Sequence, residues 1–374
     1  MKNKILLITN IFIVMFFMTS CGTTTPQNNY ATENDTVTTL YDNYEEEEEI
    51  DPFYGLAINP FTGMWVSEEL VGVRPYAVVI NNLPRALPQS GISEADIIYE
   101  VLAEGGITRL LAVFTNATAS QIGPIRSTRD YFAHIATNHN SVLVHHGGSP
   151  TGYNAINNLG IQNLDGMALE GIYFWRDQER WRQPGMREHS SYTNQENIHN
   201  AMENRGFSMY HNSIYMFNFY EEHTAVVGNL VNEVILPFSG FQTSSFIFDE
   251  NTHLFNRYQR NEPHVDEYSN TQISVSNIII QQVPKNVIAG DAEGRMNVNL
   301  IGNGFGYLVT AGVYTPITWE RQSTNTATIF SDTNGNPLTL NPGKTWISIL
   351  QISATPQFNY NVELDDYEVN ATES

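Results

Sequence analysis

Apolar residues along this chain gather in short runs punctuated by Gly, Pro and Asn, and the texture changes several times. Ile5 to Met18 is a near-unbroken apolar stretch behind Lys2 and Lys4. It is too short to span a bilayer and has the flanks of an export signal. Residues 22–51 then carry almost no aliphatics and end in Glu45-Glu46-Glu47-Glu48-Glu49. So polar a stretch cannot bury enough apolar surface to offset its ordering entropy, and its like charges keep it extended. From residue 52 the apolar runs return. Tyr76 to Ile80, opened by Arg74-Pro75 and closed by Asn81-Asn82-Leu83-Pro84, reads as a buried strand. Ile97 to Leu102 and Arg109 to Phe114 flank Gly105-Gly106 and read as an antiparallel pair. Ser127 with Asp130 three residues on has the spacing of a helix cap ahead of Phe132, Ile135 and Ala136. Val142 to Val144 is a further strand, and Thr193-x-x-Glu196 opens a helix that stops at Gly206. Strands alternating with helices predict an α/β domain with a mixed sheet over 52–230.

Beyond Leu230 the runs shorten and the helical period disappears. Phe246 to Phe248, Ile273 to Ile280, Met296 to Ile301, Tyr307 to Val309, Ile317 to Trp319 and Trp346 to Ile349 read as strands. Gly302-Asn303-Gly304 and Thr333-Asn334-Gly335-Asn336 read as turns between them. Residues 231–360 are therefore expected to form a mainly β domain, followed by an acidic tail at 361–374. The change of texture predicts two separate compact units, in keeping with the chain length.

Composition adds an address. Cys21 is the only cysteine among 374 residues, and Met18-Thr19-Ser20-Cys21-Gly22 places it directly behind the apolar run. The segment 1–20 resembles a bacterial lipoprotein signal, in which the cysteine takes a fatty acid such as palmitate and becomes the first mature residue. Residues 21–51 then form a lipidated acidic tether that holds the folded part off an extracytoplasmic membrane face. No thiol is left for disulfides, metal ligation or nucleophilic catalysis. The formal net charge is −22, and losing Lys2 and Lys4 leaves 16 basic residues against 40 acidic ones. That balance argues against nucleic acid and against anionic lipid surfaces as partners. Five glutamates without turn residues make a poor calcium cage.

The basic residues are lopsided. Between Cys21 and Leu230 there is no lysine, only ten arginines, seven of them from Arg109 to Arg187. Arginine suits a fork that must grip carboxylate or phosphate, whereas adaptation to an alkaline or salty exterior would also favour it. In Gly123-Pro124-Ile125-Arg126-Ser127-Thr128-Arg129-Asp130 a strand end feeds a helix start, where Arg126, Ser127 and Arg129 could cradle an anion with Arg109. The alternative is a plain capped helix with Arg129 paired to a carboxylate. His145-His146-Gly147-Gly148-Ser149-Pro150 comes next. Adjacent strand histidines face opposite ways, so no shared metal is expected; either could hydrogen-bond a ligand or move a proton. Ser149 lacks the context of a nucleophile elbow and enters only as a ligand contact. Arg176-Asp177-Gln178-Glu179-Arg180-Trp181-Arg182, with Tyr173, Phe174, Trp175 and Arg187-Glu188-His189, could pave a polymer-binding groove or form a salt-bridged surface loop. Gly343-Lys344-Thr345 is no nucleotide loop, because Leu338 stands where a glycine is required. No cofactor, metal or catalytic residue is assigned.

Several segments together carry a family resemblance. Arg74-Pro-x-Ala-Val-x-Ile-x-Asn82, Pro88-Gln-Ser-Gly-Ile92, Ala95-Asp-Ile-Ile-Tyr-Glu100, Glu104-Gly-Gly-Ile-Thr-Arg109, Ile122-Gly-Pro-Ile-Arg-Ser-x-Arg129 and His146-Gly-Gly-Ser-Pro150 resemble the YerB-like lipoproteins of low-GC Gram-positive bacteria. Gly302-Asn-Gly304, Trp319 and Asn341-Pro-Gly-Lys-Thr-Trp-Ile347 resemble that family's C-terminal domain. The resemblance implies an extracytoplasmic two-domain lipoprotein whose function is poorly defined. The order from Arg109 to Arg129 is also similar in pattern to LytR-type ligases, which attach anionic polymers to peptidoglycan. Two functions stand open. One is a membrane-anchored protein gripping an anionic or carbohydrate envelope component, a cell-wall polymer or envelope protein, through Arg109, Arg126, Ser127, Arg129, His145, His146 and Ser149. The other is a phosphotransferase or hydrolase acting on the same component, with a histidine or Asp130 moving a proton. Cys21→Ser is expected to leave the folded part intact while releasing the protein from membranes or blocking its processing. Metabolic labelling with a fatty acid decides this, and equal label in wild type and variant rules out Cys21 as the anchor.

Overall fold

A computed structural model describes residues 53–210 and 217–361. The export signal, Cys21, the tether and nearly all of the acidic tail lie outside them. The expected antiparallel pair forms as Ile97–Leu102 against Thr108–Phe114, and Tyr76–Asn81 adds antiparallel to the second of these. Val142–His145 and Asn163–Asp165 then extend the sheet in parallel. All α-helices of the described residues, from Asp130–Ala136 to Gln195–Asn204, lie in the first half, and the second half is mostly strands. The mixed α/β half and the strand-rich half are thus as expected.

Their independence is not. Thr345–Gln351 pairs in parallel with Ile97–Leu102, from Thr345 opposite Ile97 to Ile349 opposite Val101. Asn277–Val283, Gly302–Thr310, Val313–Arg321 and the short Asn229–Leu230 and Ile329–Asp332 complete one sheet of 11 strands running through both halves. The expectation of two separate compact units is therefore corrected. Both central strands are buried on both faces, so their open edges are satisfied only by each other.

Alternation sorts the side chains. Tyr76, Val78, Ile80, Ile98, Ile278 and Trp346 share one core with Val234, Phe246 and Phe255 of a second sheet, Glu233–Pro237, Thr243–Asp249, Leu254–Gln259 and their short neighbours. Ala77, Val79, Ile97, Tyr99, Ile279 and Ile347 share the other core with Phe132, Ile135, Ala155 and Ile156 of two helices. Each core draws on both halves of the chain. Gly302-Asn303-Gly304 is not a turn, as expected, but the start of a nine-residue strand. Gly304 serves close approach, since a Cβ there would lie 2.7 Å from the Trp319 indole nitrogen.

One polar residue of the central strand points into the first core. Glu100 is fully buried and meets Arg257, also fully buried, at 3.1 Å across the two sheets. Ser244 Oγ donates to both Glu100 oxygens at 2.8 and 2.9 Å, and Thr108 Oγ1 donates at 2.7 Å. The Arg257 guanidinium lies 4.3 Å over the Trp346 ring and also donates to His264 Nδ1, whose Nε2–H is left to reach Gln89. Burial and the Arg257 charge hold His264 neutral, its pKa well below the ordinary value. Removing one partner strands a charge in the core. Arg257→Met is expected to cost about 3–5 kcal/mol. Because the sheet is shared, circular dichroism and tryptophan fluorescence should report a single coincident transition in wild type, and two separated transitions would contradict the continuous core.

Candidate functional site

The segment after Gly123 does not enter a helix directly. It runs as irregular backbone beside residues 146–149: Arg126 O accepts from His146 N, Gly147 O from Thr128 N, and Thr128 O from Ser149 N. This pairing sets Arg126 and Ser127 beside His146 and the two glycines. Gly147 sits at φ 75°, the left-handed region, and its N–H donates to Asp165 at 2.8 Å. The helix begins only at Asp130, with Arg129 as its cap and no side-chain capping bond. Ser127 is not the cap; its Oγ donates to His146 O at 3.1 Å.

The expected triad of Arg109, Arg126 and Arg129 divides. Arg109 and Arg129 both bind Glu104, and Arg109 also donates to Ser127 O at 2.7 Å. The anion at this point belongs to the protein. Burial pushes the Glu104 carboxyl up, but Arg109 and Arg129 outweigh it and hold the pKa at about 2. The Arg126 guanidinium instead pairs with Glu188, whose side chain is 55% exposed. Arg109 and Arg126 still line a common cavity of about 180 Å³, while Arg129 is not on its wall.

His145 and His146 face opposite ways. His145 is fully buried, donating from Nδ1 to Gly147 O at 2.8 Å, with Nε2 at 3.2 Å from the Asn163 side chain. Ser149 caps the helix Pro150–Leu159 by accepting from Gly152 N at 3.0 Å. Both are committed to the scaffold. His146 faces the open side. Its Nε2 accepts from the Arg176 guanidinium at 2.7 Å, which leaves Nδ1–H to meet Ser191 Oγ at 2.9 Å. Burial, reinforced by Arg176, lowers its pKa to about 4.

These pieces line one cleft of about 550 Å³: Arg126, Ser127, His146, Gly147 and Gly148 on one wall, Arg176, Trp181, Arg187 and Glu188 on the other, with Tyr153 and Met167 at the margin. Trp175–Arg176 pairs with Ser191–Tyr192, and Asp177 caps the short helix Gln178–Arg182 that presents Trp181. The Arg187 and Arg176 guanidiniums stand 4.0 and 5.0 Å from the Trp181 ring centre. The indole is spent on aiming cations rather than left open for a sugar. Arg176 also reaches Glu170 at 2.8 Å, a side chain 39% exposed. The Nε–H groups of Arg126 and Arg176 are buried without a hydrogen-bond partner among the described residues. Arg176, Trp181 and Arg187 are the residues that the choice between groove and surface loop left unassigned. Tyr153 and Met167 carry no sequence signal at all.

A second cleft of about 510 Å³, in the strand-rich half, is lined by Phe217, Ile329, Phe330 and Pro337 with Glu320 and holds no cation. No group of three or more His, Cys, Asp or Glu side chains among the described residues could hold a metal.

Comparison with known proteins agrees with both halves. Residues 61–208 match the family model "Protein of unknown function (DUF3048) N-terminal domain", and residues 234–347 match the corresponding C-terminal domain. The chain is 30% identical over 294 residues to YerB of Bacillus subtilis (strain 168), a lipoprotein by name, covering 78% of this chain and 85% of the relative. It is also similar to the crystal structure of YerB protein from Bacillus subtilis, with a TM-score of 0.71 and 29% identity over 80% of this chain and 99% of that one. No helix among the described residues is long and apolar enough to cross a membrane.

The two titrations have adjacent windows and the same sign. Glu104 is depressed when folded, so its contribution is present above the unfolded carboxylate range and is lost as pH falls toward about 2. His146 is neutral when folded, so stability also declines as pH falls from about 6.5, where the unfolded imidazole charges, toward about 4. Glu104→Gln should cost about 1.5–3 kcal/mol at neutral pH, with the deficit shrinking in acid. Urea melts at stepped pH read the first effect. Imidazole NMR reads the second, and a His146 midpoint near 6.5 would contradict the buried Arg176 contact.

Proposed function

This chain belongs to the DUF3048 family, both of whose domains it carries, and from that premise we propose that it is a lipoprotein anchored outside the cytoplasm that binds an anionic component of the cell envelope. One observation carries the reading. Three guanidiniums, those of Arg126, Arg176 and Arg187, meet in one cleft, and the carboxylates near them are exposed. An exposed ion pair contributes only about 0–1 kcal/mol, so an incoming phosphate or carboxylate displaces Glu188 or Glu170 at little cost. It gains charge-assisted forks from the guanidiniums that line the cleft. The Glu104 clamp is different in kind, because both of its arginines are buried and no outside anion reaches Arg129.

The ligand contacts in this reading are Arg126, Ser127, His146, Arg176 and Arg187, with Arg109 in the adjoining cavity. His145, Ser149 and Arg129 hold the scaffold. An anion is favoured over a neutral sugar, because the Trp181 ring is already engaged by two cations. Binding is favoured over catalysis, because His146 has both ring nitrogens engaged. Calorimetric titration with phosphodiester fragments of wall polymer tests the proposal. Arg126→Ala and Arg187→Ala are each expected to weaken binding by about 1.5–3 kcal/mol. Arg205→Ala, exposed and outside the cleft, should leave it unchanged. Wild-type protein that takes up neither phosphate- nor carboxylate-bearing wall fragments would refute the reading.

A further inference from the structure

The first strand pair of the described residues turns an apolar face to solvent. Leu56–Ile58 pairs antiparallel with Trp65–Ser67, with Ile58 opposite Trp65 and Leu56 opposite Ser67. Residues directly opposite share a face, so Leu56, Ile58 and Trp65 stand on one side of the ribbon, and all three are exposed. Phe53 stacks on Trp65 with 4.2 Å between ring centres, and Tyr54 beside it in the chain is 87% exposed. The turn that joins the two strands is fixed to the body. Phe61 joins the core that holds Phe132 and Ile135, Asn59 Nδ2 donates to Asp96 and Thr115 at 3.2 Å, and Thr62 O accepts from Gly343 N at 2.7 Å. Exposed apolar side chains gathered on one face of a pinned ribbon mark a contact surface.

Its place in the chain names the occupant. Residues 22–52 separate Phe53 from Cys21 and lie outside the described residues. A coil of that length spans about 30 Å root mean square, and more where like charges extend it. We propose that the ribbon docks on the lipid bilayer to which Cys21 ties the chain, with Leu56, Ile58 and Trp65 in the layer between headgroups and acyl chains. The inference rests on the lipid-anchor reading and adds a defined contact, which sets how the body stands on the membrane. Trp and Tyr favour that layer because each joins an apolar ring to a polar edge. The anchor keeps the bilayer at a high effective concentration, so a ribbon too small to bind by itself is held there. The contact is apolar rather than electrostatic. Glu68 and Glu69, both exposed, follow the second strand, and the chain carries a net charge of −22. Neutral headgroups therefore suit it, and anionic ones oppose it.

Full-length lipidated protein is reconstituted into phosphatidylcholine vesicles with and without brominated acyl chains, and co-flotation reports the anchor. Bromine is expected to quench part of the tryptophan emission. Trp65→Phe, which keeps the face apolar, should remove that quenched part. Leu56→Glu combined with Ile58→Glu, both at exposed positions, should abolish the quenching while flotation and the circular dichroism melt stay unchanged. Phosphatidylglycerol mixed into the vesicles should weaken the wild-type quenching. Equal emission from the two kinds of vesicle, or quenching that survives either variant, overturns the docking, leaves the anchor standing and gives the face to a protein partner or a second copy. Protein that does not float with the vesicles defeats the anchor reading and this inference with it.

Discussion

Glu100 carries a charge in the interior of this protein, and the junction of its two halves is built around that charge. The residue sits on the strand where the two sequence domains meet, and it faces the second sheet. A buried carboxylate is tolerable only when paired and fully hydrogen-bonded, and here Arg257, Ser244, Thr108 and Asn82 supply the donors. Thr108 and Asn82 come from the first half, Arg257 and Ser244 from the second. A hydrophobic pair would hold the two sheets together in many registers, whereas this constellation is satisfied in one. Lys285 extends the same environment: burial drives its amine down to about 7 even with Glu100 nearby to raise it.

The same chemistry performs a different task nearer the surface, and burial separates the two. Glu104 locks two buried arginines and shapes the backbone that carries Ser127. Glu188 and Glu170 face similar arginines, yet they stand in water and hold them loosely. An arginine-rich sequence thus yields one clamp and one open cleft. Gly147 and Gly148 line the cleft beside Arg126 and put no side chain into it. His146 contributes as a neutral acceptor that fixes Arg176, in keeping with its low pKa.

Much of the fold was legible because local pattern and local structure share a period. Tyr76 to Ile80, Ile97 to Leu102 and the strand beginning near Arg109 are mostly apolar, Glu100 apart, and both faces are covered. The helix before Gly206 has its apolar stripe and its stop signal, although Asn194 rather than Thr193 supplies the cap. The failures have one cause. Ser127 had the spacing of a cap, but its hydroxyl found His146 O, a partner nineteen residues away. Gly302-Asn303-Gly304 had the composition of a turn, but Trp319 needed the space that Gly304 leaves within the strand.

What the chain determined by itself is therefore what depends on neighbours in sequence: the two textures, the strand runs, the concentration of arginine without lysine, and the segments that carry the family likeness. Which arginine faces an open cleft was not among these. Arg126, Arg129 and Arg109 look equivalent along the chain, and so do Arg176 and Arg182. Their roles diverge because a carboxylate from elsewhere reaches some of them in a buried place and others only in water. The joining of both halves into one sheet was hidden for the same reason. Strand pairing between Ile97–Leu102 and Thr345–Gln351 spans some 250 residues, and backbone hydrogen bonds leave no mark on side-chain composition.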